Sequence, residues 1–185
     1  MRYHMTARDI DRESMTAKAI VTLLAFLTFA FGVCAQDCSV KKPAFTRESP
    51  NGLFSVEIPA LLRKDNTNYP DTTLYGSTIG DCVLVVYVIR HPSDLRLSFN
   101  AKIDGLEFML GGDDDHDFSQ ELLRIGKYHA KKILYTKQNN QGLLIDAGDY
   151  TFVVGFASKN RKDLNGKIAK RLFSSFRIAS HIIDI

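Results

Sequence analysis

Apolar and polar residues alternate along several short stretches of the chain, the pattern of half-buried β-strands. In Leu53–Ile58 the apolar Phe54, Val56 and Ile58 are separated by polar residues. Cys82–Ile89 is instead apolar at every position and rich in β-branched residues, which is typical of a central strand covered on both faces. Further strands are predicted at Thr73–Ile79, Gln120–Ile125, Tyr128–Thr136, Gly142–Ala147 and Tyr150–Ala157.

Two other stretches repeat their apolar residues at helical spacing. One predicts a helix over Leu95–Leu110, and the other predicts a helix over Lys162–Phe176. The apolar positions of the second are Leu164, Ile168, Leu172 and Phe176. Four consecutive strands with short hairpin links lie between the two helices, and short links favour antiparallel pairing. The predicted fold class is therefore α+β, with an antiparallel sheet flanked by helices on both faces.

The N-terminal part of the chain has the layout of a secretory signal peptide. Lys18 precedes an uncharged apolar run, Ala19–Val33, and Ala35 offers a small residue for cleavage. A run of this length is short for a membrane span, which needs about 20 apolar residues. We expect cleavage after Ala35, export to the periplasm or the extracellular space, and no stable membrane span afterwards; an uncleaved anchoring helix is the alternative.

Residues 1–14 are unusually acidic for the start of a signal peptide, and Met15 opens a more typical one. The first 14 residues are therefore interpreted as a misassigned start, with translation beginning at Met15 or, alternatively, at Met5. Residues 36–50 read as an N-terminal tail, and residues 51–180 as a single α/β domain. Cleavage would leave Cys38 and Cys82 in an oxidising compartment, where disulfides persist. We expect these two residues to form a disulfide, with two unpaired thiols as the alternative.

The net charge of +3 is too small to indicate a nucleic-acid partner, and an exported chain rarely meets one. Three cysteines exclude a disulfide-dense miniprotein and a four-cysteine zinc site. No G-x-S-x-G nucleophile elbow, P-loop or G-x-G-x-x-G motif is present, so the sequence favours a protein without catalytic residues and without a cofactor.

One segment has the composition of a cation site. Asp113, Asp115, His116 and Asp117 place oxygen and nitrogen ligands close together, as a divalent cation requires. The segment departs from an EF-hand loop, because Phe118 stands at the glycine position. A solvated acidic loop is the alternative interpretation.

Three segments resemble parts of a known family: the opening Asn51–Pro59, the apolar strand that ends in Tyr87-Val88-Ile89, and the closing Ala169–Ile178. With the strand Tyr150–Gly155, they are similar to secreted bacterial domains of the Mog1/PsbP-like superfamily. The resemblance covers roughly residues 45–180 and implies an antiparallel α/β/α sandwich. It carries no shared catalytic residues, so it says little about function.

These observations together predict a secreted or periplasmic non-catalytic binding or accessory module. Its expected partner is an unidentified protein or envelope component, and not nucleic acid. The alternative function is a divalent-cation-binding protein that uses the Asp113–Asp117 loop. A weaker alternative is a hydrolase without a recognisable motif.

Overall fold

The computed structural model of the chain describes residues 43–65, 67, 71–91, 98–103, 106, 110 and 118–180. Most of these residues belong to an antiparallel sheet of seven strands, whose spatial order is β3-β4-β5-β9-β8-β7-β6. The strands are β3 (Arg63–Asp65), β4 (Thr72–Ile79), β5 (Cys82–Arg90), β6 (Phe118–Ile125), β7 (Tyr128–Tyr135), β8 (Asn140–Ala147) and β9 (Tyr150–Ser158).

A smaller antiparallel sheet packs near the closing part of the chain. It has the order β1-β2-β10, from β1 (Thr46–Glu48), β2 (Phe54–Ile58) and β10 (Arg177–Ile178). Its first strand lies within the segment predicted as an N-terminal tail. Glu57 on β2 accepts one hydrogen bond from Arg47 on β1, at 2.9 Å, and forms an ion pair with Arg171, so one carboxylate connects three elements.

Helices are few and short in the described residues. An α-helix α1 (Phe99–Ile103) precedes β6, and a 3-10 helix (Arg161–Asn165) leads into an α-helix α2 (Lys167–Ser175). The continuous helix predicted over Lys162–Phe176 is therefore interrupted. Gly166 lies between the two helical segments in extended conformation, as expected for a residue with low helix propensity.

Apolar side chains on the two faces of the large sheet form two separate cores. Against one face pack β2 and α2. The ring of Phe54 on β2 stacks 5.5 Å from that of Phe176, the residue that follows α2, and both rings meet Phe152 of β9. Against the other face pack Ile103 and Leu110, which lie over β5, β7, β8 and β9. The predicted apolar stripe of the closing segment is confirmed, because its four members are buried: Leu164, Ile168, Leu172 and Phe176.

The fold class predicted from the sequence is wrong. Strands hold 54% of the described residues, in two antiparallel sheets, and the described helices are two α-helices of five and nine residues besides the 3-10 turn. The described residues are therefore mostly β, and their two short α-helices do not make the protein a helix-flanked α/β/α sandwich. Two things led to the overestimate: strand β2 covers part of the face assigned to a helix, and helical spacing over Leu95–Leu110 corresponds to only one described helix of five residues.

The predicted strands are confirmed, with boundaries that differ by up to two residues. Strand β5 is buried at its first seven positions, as expected for a central strand with both faces covered. It pairs with β4 on one side and with β9 on the other. Its backbone groups are therefore engaged along both edges.

Candidate functional site

Strand β6 forms one edge of the large sheet. It pairs with β7 along all eight of its residues, from Phe118 opposite Tyr135 to Ile125 opposite Tyr128. In the part of the chain that the structure describes, β6 has no strand on its other side. Six of its eight residues are exposed, and Leu122 leaves 71% of its surface in contact with solvent. An edge of this length presents a row of unpaired backbone N–H and C=O groups.

The hairpin turn determines which backbone groups of β6 face outwards. Gly126 adopts a φ of +62°, as the first central residue of a two-residue type II′ turn does. The closing pair Ile125 and Tyr128 shares hydrogen bonds in such a turn, and hydrogen-bonded pairs alternate along an antiparallel ladder. The N–H and C=O groups of Leu123 therefore face β7. Those of Leu122 face away from the sheet.

The two faces of β6 differ in how they are held. Leu123 and Ile125 pack against the core beneath β2 and α2, while the Phe118 ring contacts Tyr135 at a centroid distance of 5.6 Å on the opposite face. Between these anchors, Leu122 contributes an apolar side chain that the sheet does not cover. The edge is thus held by its neighbours, and no described residue pairs with its outer side.

A row of polar side chains crosses the sheet next to this edge. Arg124, His129, Asp146 and Thr151 lie directly opposite one another on the adjacent strands β6, β7, β8 and β9. Residues that are opposite in an antiparallel ladder share a face of the sheet. The row therefore runs from the exposed Arg124 to the fully buried Thr151.

The buried end of the row is a network of hydrogen bonds. Lys102 of α1 donates to the Asp146 carboxylate at 2.8 Å and to the carbonyl of Gly148 at 2.7 Å. His91 Nε2 lies 2.7 Å from the hydroxyl of Thr151. Burial lowers the pKa of His91, and the positive charge of Lys102 lowers it further. A neutral imidazole can accept the hydroxyl proton of Thr151 in a hydrogen bond.

This network has the residue types of a catalytic site without the access that catalysis needs. Thr151 has no exposed surface, so its hydroxyl cannot reach a substrate in solution. The Lys102 side chain is 8% exposed and that of Asp146 is 19% exposed, so their charges compensate each other away from water. We interpret the network as the attachment of α1 to the β8–β9 turn.

The opposite edge of the sheet carries a groove of about 630 Å³ beside β3 and β4. Its lining residues are Ala60, Leu61, Arg63, Lys64, Asp65, Gly76, Ser77 and Thr78. Strand β3 covers only the Leu74–Gly76 part of β4 and is charged at all three positions. A short charged edge of this kind discourages pairing with a further strand.

All but one of the predicted site residues lie outside the part of the chain that the structure describes. Asp113, Asp115, His116 and Asp117 lie outside the described residues, and so does Cys38. The cation site and the disulfide therefore stay predictions. Cys82 is fully buried at the first position of β5. Across the described ranges, no three His, Cys, Asp or Glu side chains are grouped closely enough to hold a metal ion.

Sequence reasoning missed the β6 edge as a site, although it predicted a strand there. The available signal was the contrast with Cys82–Ile89: β6 contains Ser119, Gln120, Glu121 and Arg124, whereas the central strand begins with an uninterrupted apolar run. Polar residues on both faces of a strand are typical of an edge.

Comparisons with known proteins add little about function. No family model matches the chain, and no curated protein matches it. A solved structure from Bacteroides thetaiotaomicron is similar to it with 12% identity and a TM-score of 0.37. That match covers 71% of this chain, and the chain spans 47% of that protein's length. The resemblance to the Mog1/PsbP-like superfamily stays a prediction. In the portion that the structure describes, no helix has the length and apolar character needed to cross a membrane.

Proposed function

We propose that the protein is an exported, non-catalytic binding module that binds an extended polypeptide along strand β6. The bound segment adds to the large sheet as a further antiparallel strand. The open β6 edge, with its outward backbone groups and the exposed Leu122, is the observation that carries the proposal. Strand addition of this kind takes affinity from main-chain hydrogen bonds and specificity from alternate side chains.

The composition of the edge suits a polypeptide of mixed character. Glu121 and Arg124 provide one charge of each sign, and Leu122 provides an apolar contact between them. Export, to the periplasm or the extracellular space, rests on the apolar run at Ala19–Val33. An exported binding module would meet protein and envelope components, and the proposal takes an extended protein segment as the partner.

The experiment uses fluorescein-labelled octapeptides that alternate apolar and polar residues, with fluorescence anisotropy as the measure of binding. We expect concentration-dependent binding to the wild-type protein. The control peptides have the same sequences with N-methyl groups on the alternate amides that would face β6, and these should not bind, because their hydrogen bonds are blocked. Equal binding of the methylated peptides, or no binding by any peptide, would contradict the proposal.

A protein variant provides the matching control. Leu122→Pro removes an outward-facing N–H, and edge strands tolerate proline at such positions. The variant should stay folded by circular dichroism and bind the octapeptides at least about tenfold more weakly, the change that roughly 1.4 kcal/mol produces. An unchanged affinity would place the binding site elsewhere.

A further inference from the structure

We infer that the strand added to β6 is strand β6 of a second copy of this chain. The inference rests on the proposed function and names the partner of that same edge. Two copies would pair their β6 strands antiparallel about a twofold axis, and two seven-stranded sheets would become one continuous sheet. Such a contact uses the same surface of both subunits, as a twofold interface must.

Symmetry limits the possible registers. A twofold axis that relates two antiparallel edge strands stands perpendicular to the sheet, so each face of one copy continues as the same face of the other. Opposed residues share a face and therefore differ by an even number of positions. The axis therefore lies midway between the two strands, level with one residue of β6 and its copy, and cannot lie level with a point between two successive residues.

The side chains of β6 select one register among these. An axis through Glu121 places two carboxylates directly opposite each other, which is destabilising. An axis through Leu123 places Leu122 opposite Arg124 of the second copy and pairs fewer residues. An axis through Leu122 instead places the two exposed leucines opposite each other and sets Gln120 opposite Arg124 of the second copy.

The Leu122 register also fits the backbone. The outward N–H and C=O groups belong to alternate residues, which include Gln120, Leu122 and Arg124, because the intervening residues bond to β7. In this register these residues face one another across the axis, so each of the three pairs can exchange two hydrogen bonds. This register also sets no like charges opposite each other, since Glu121 faces Leu123 and Arg124 faces Gln120 of the second copy.

Sedimentation equilibrium over a concentration series tests the inference on protein produced from the full 185-residue sequence. We expect a monomer–dimer equilibrium for the wild type and a monomer for Leu122→Asp, which sets two carboxylates against each other. Leu61→Asp is the matched control, because Leu61 lies near the other edge and is 69% exposed, against 71% for Leu122. This control should dimerise like the wild type.

An unlabelled peptide with the sequence of residues 118–125 provides the second readout. It should dissociate the dimer by occupying β6, while its N-methylated counterpart should not. A wild type that is monomeric at every concentration, or a dimer that Leu122→Asp leaves intact, overturns the inference. A monomer that still binds the alternating octapeptides leaves the proposed function standing and removes only the second copy as partner. A monomer that binds none of them contradicts both.

Discussion

Strands β5 and β6 have similar lengths and lie in the same sheet, yet their surroundings are opposite. β5 is paired on both sides and buried at its first seven positions, whereas β6 is paired on one side and exposed at six of eight. Leu84 of β5 has no exposed surface, and Leu122 of β6 has most of its surface in solvent. Place in the sheet, rather than strand propensity, decides whether a leucine is buried in the core or exposed to solvent.

The two edges of the sheet differ as well. β3 has three residues, all charged, and β6 has eight residues with an exposed leucine near its middle. Short charged edges are one way in which proteins avoid unwanted strand pairing. Since only one edge of this sheet is protected in that way, we attribute a binding role to the other.

Truncating a leucine in each strand is the strongest test of the contrast. Leu84→Ala should lower the free energy of unfolding by about 2–5 kcal/mol, because it leaves a cavity in a close-packed core. Leu122→Ala should lower it by less than about 0.5 kcal/mol. Denaturant melts of the two variants measure both values, and similar losses would show that β6 is packed against something that the described residues do not include.

The predicted disulfide would add to the stability of β5 and so increase the difference between β5 and the exposed strand β6. A bond between Cys38 and Cys82 closes a loop of about 44 residues and is worth roughly 3–4 kcal/mol in the chain-entropy model. It would attach the N-terminal segment to the central strand. Mass spectrometry of the unfolded, unreduced protein should find neither residue open to alkylation. Alkylation of both would contradict the prediction.

Proline substitutions at neighbouring positions test which way the β6 backbone faces. Leu123→Pro removes an N–H that β7 uses, and leaving the β7 carbonyl without its partner should cost about 1–3 kcal/mol more than Leu122→Pro. Thermal or denaturant melts compare the two variants. If Leu122→Pro is the more destabilising variant, then Leu122 bonds to β7 and the backbone groups of Leu123 face outwards, contrary to our assignment.

The stability of the folded protein should depend on pH through His91, the residue that follows β5. Because the pKa of His91 is lowered in the folded protein, the unfolded chain binds the proton more readily. The contribution of His91 to stability is therefore fully present above about pH 6.5, the usual histidine pKa. It falls as the pH drops from there towards the lower folded pKa. His91→Gln should reduce the drop in melting temperature between pH 8 and pH 5.5, and an unchanged drop would contradict this origin.

The sequence predicted most of the strands because alternation and β-branched runs are local signals. Phe54–Ile58 and Cys82–Arg90 could be recognised from a few residues each. The order of strands could not be recognised in this way, because 59 residues, 91–149, separate β5 from β9 and no local pattern specifies that the two strands pair. Helix content was overestimated for a related reason. Apolar residues four positions apart are typical of a helix, but Gly166 divides the closing segment into two helices. The spacing of apolar residues alone does not reveal this interruption.

The candidate site shows the same limit more sharply. A cation site could be predicted at Asp113–Asp117 because its candidate ligands are adjacent in sequence, which is a local pattern. The β6 edge is a candidate site because the strand order places β6 last in the seven-stranded sheet. The polar row from Arg124 to Thr151 likewise depends on the register of four paired strands. Both features depend on the long-range pairing of strands, so they could be recognised only from the structure.

Amide hydrogen exchange at Leu122 and Leu123, resolved by nuclear magnetic resonance, is the most direct test of an open β6 edge. In dilute protein the Leu122 amide should exchange quickly and the Leu123 amide slowly, because only the second is bonded to β7. Adding a binding octapeptide, or raising the protein concentration, should slow exchange at Leu122 and leave Leu123 nearly unchanged. A Leu122 amide that is already protected in dilute protein, or that no added strand protects, would contradict the account.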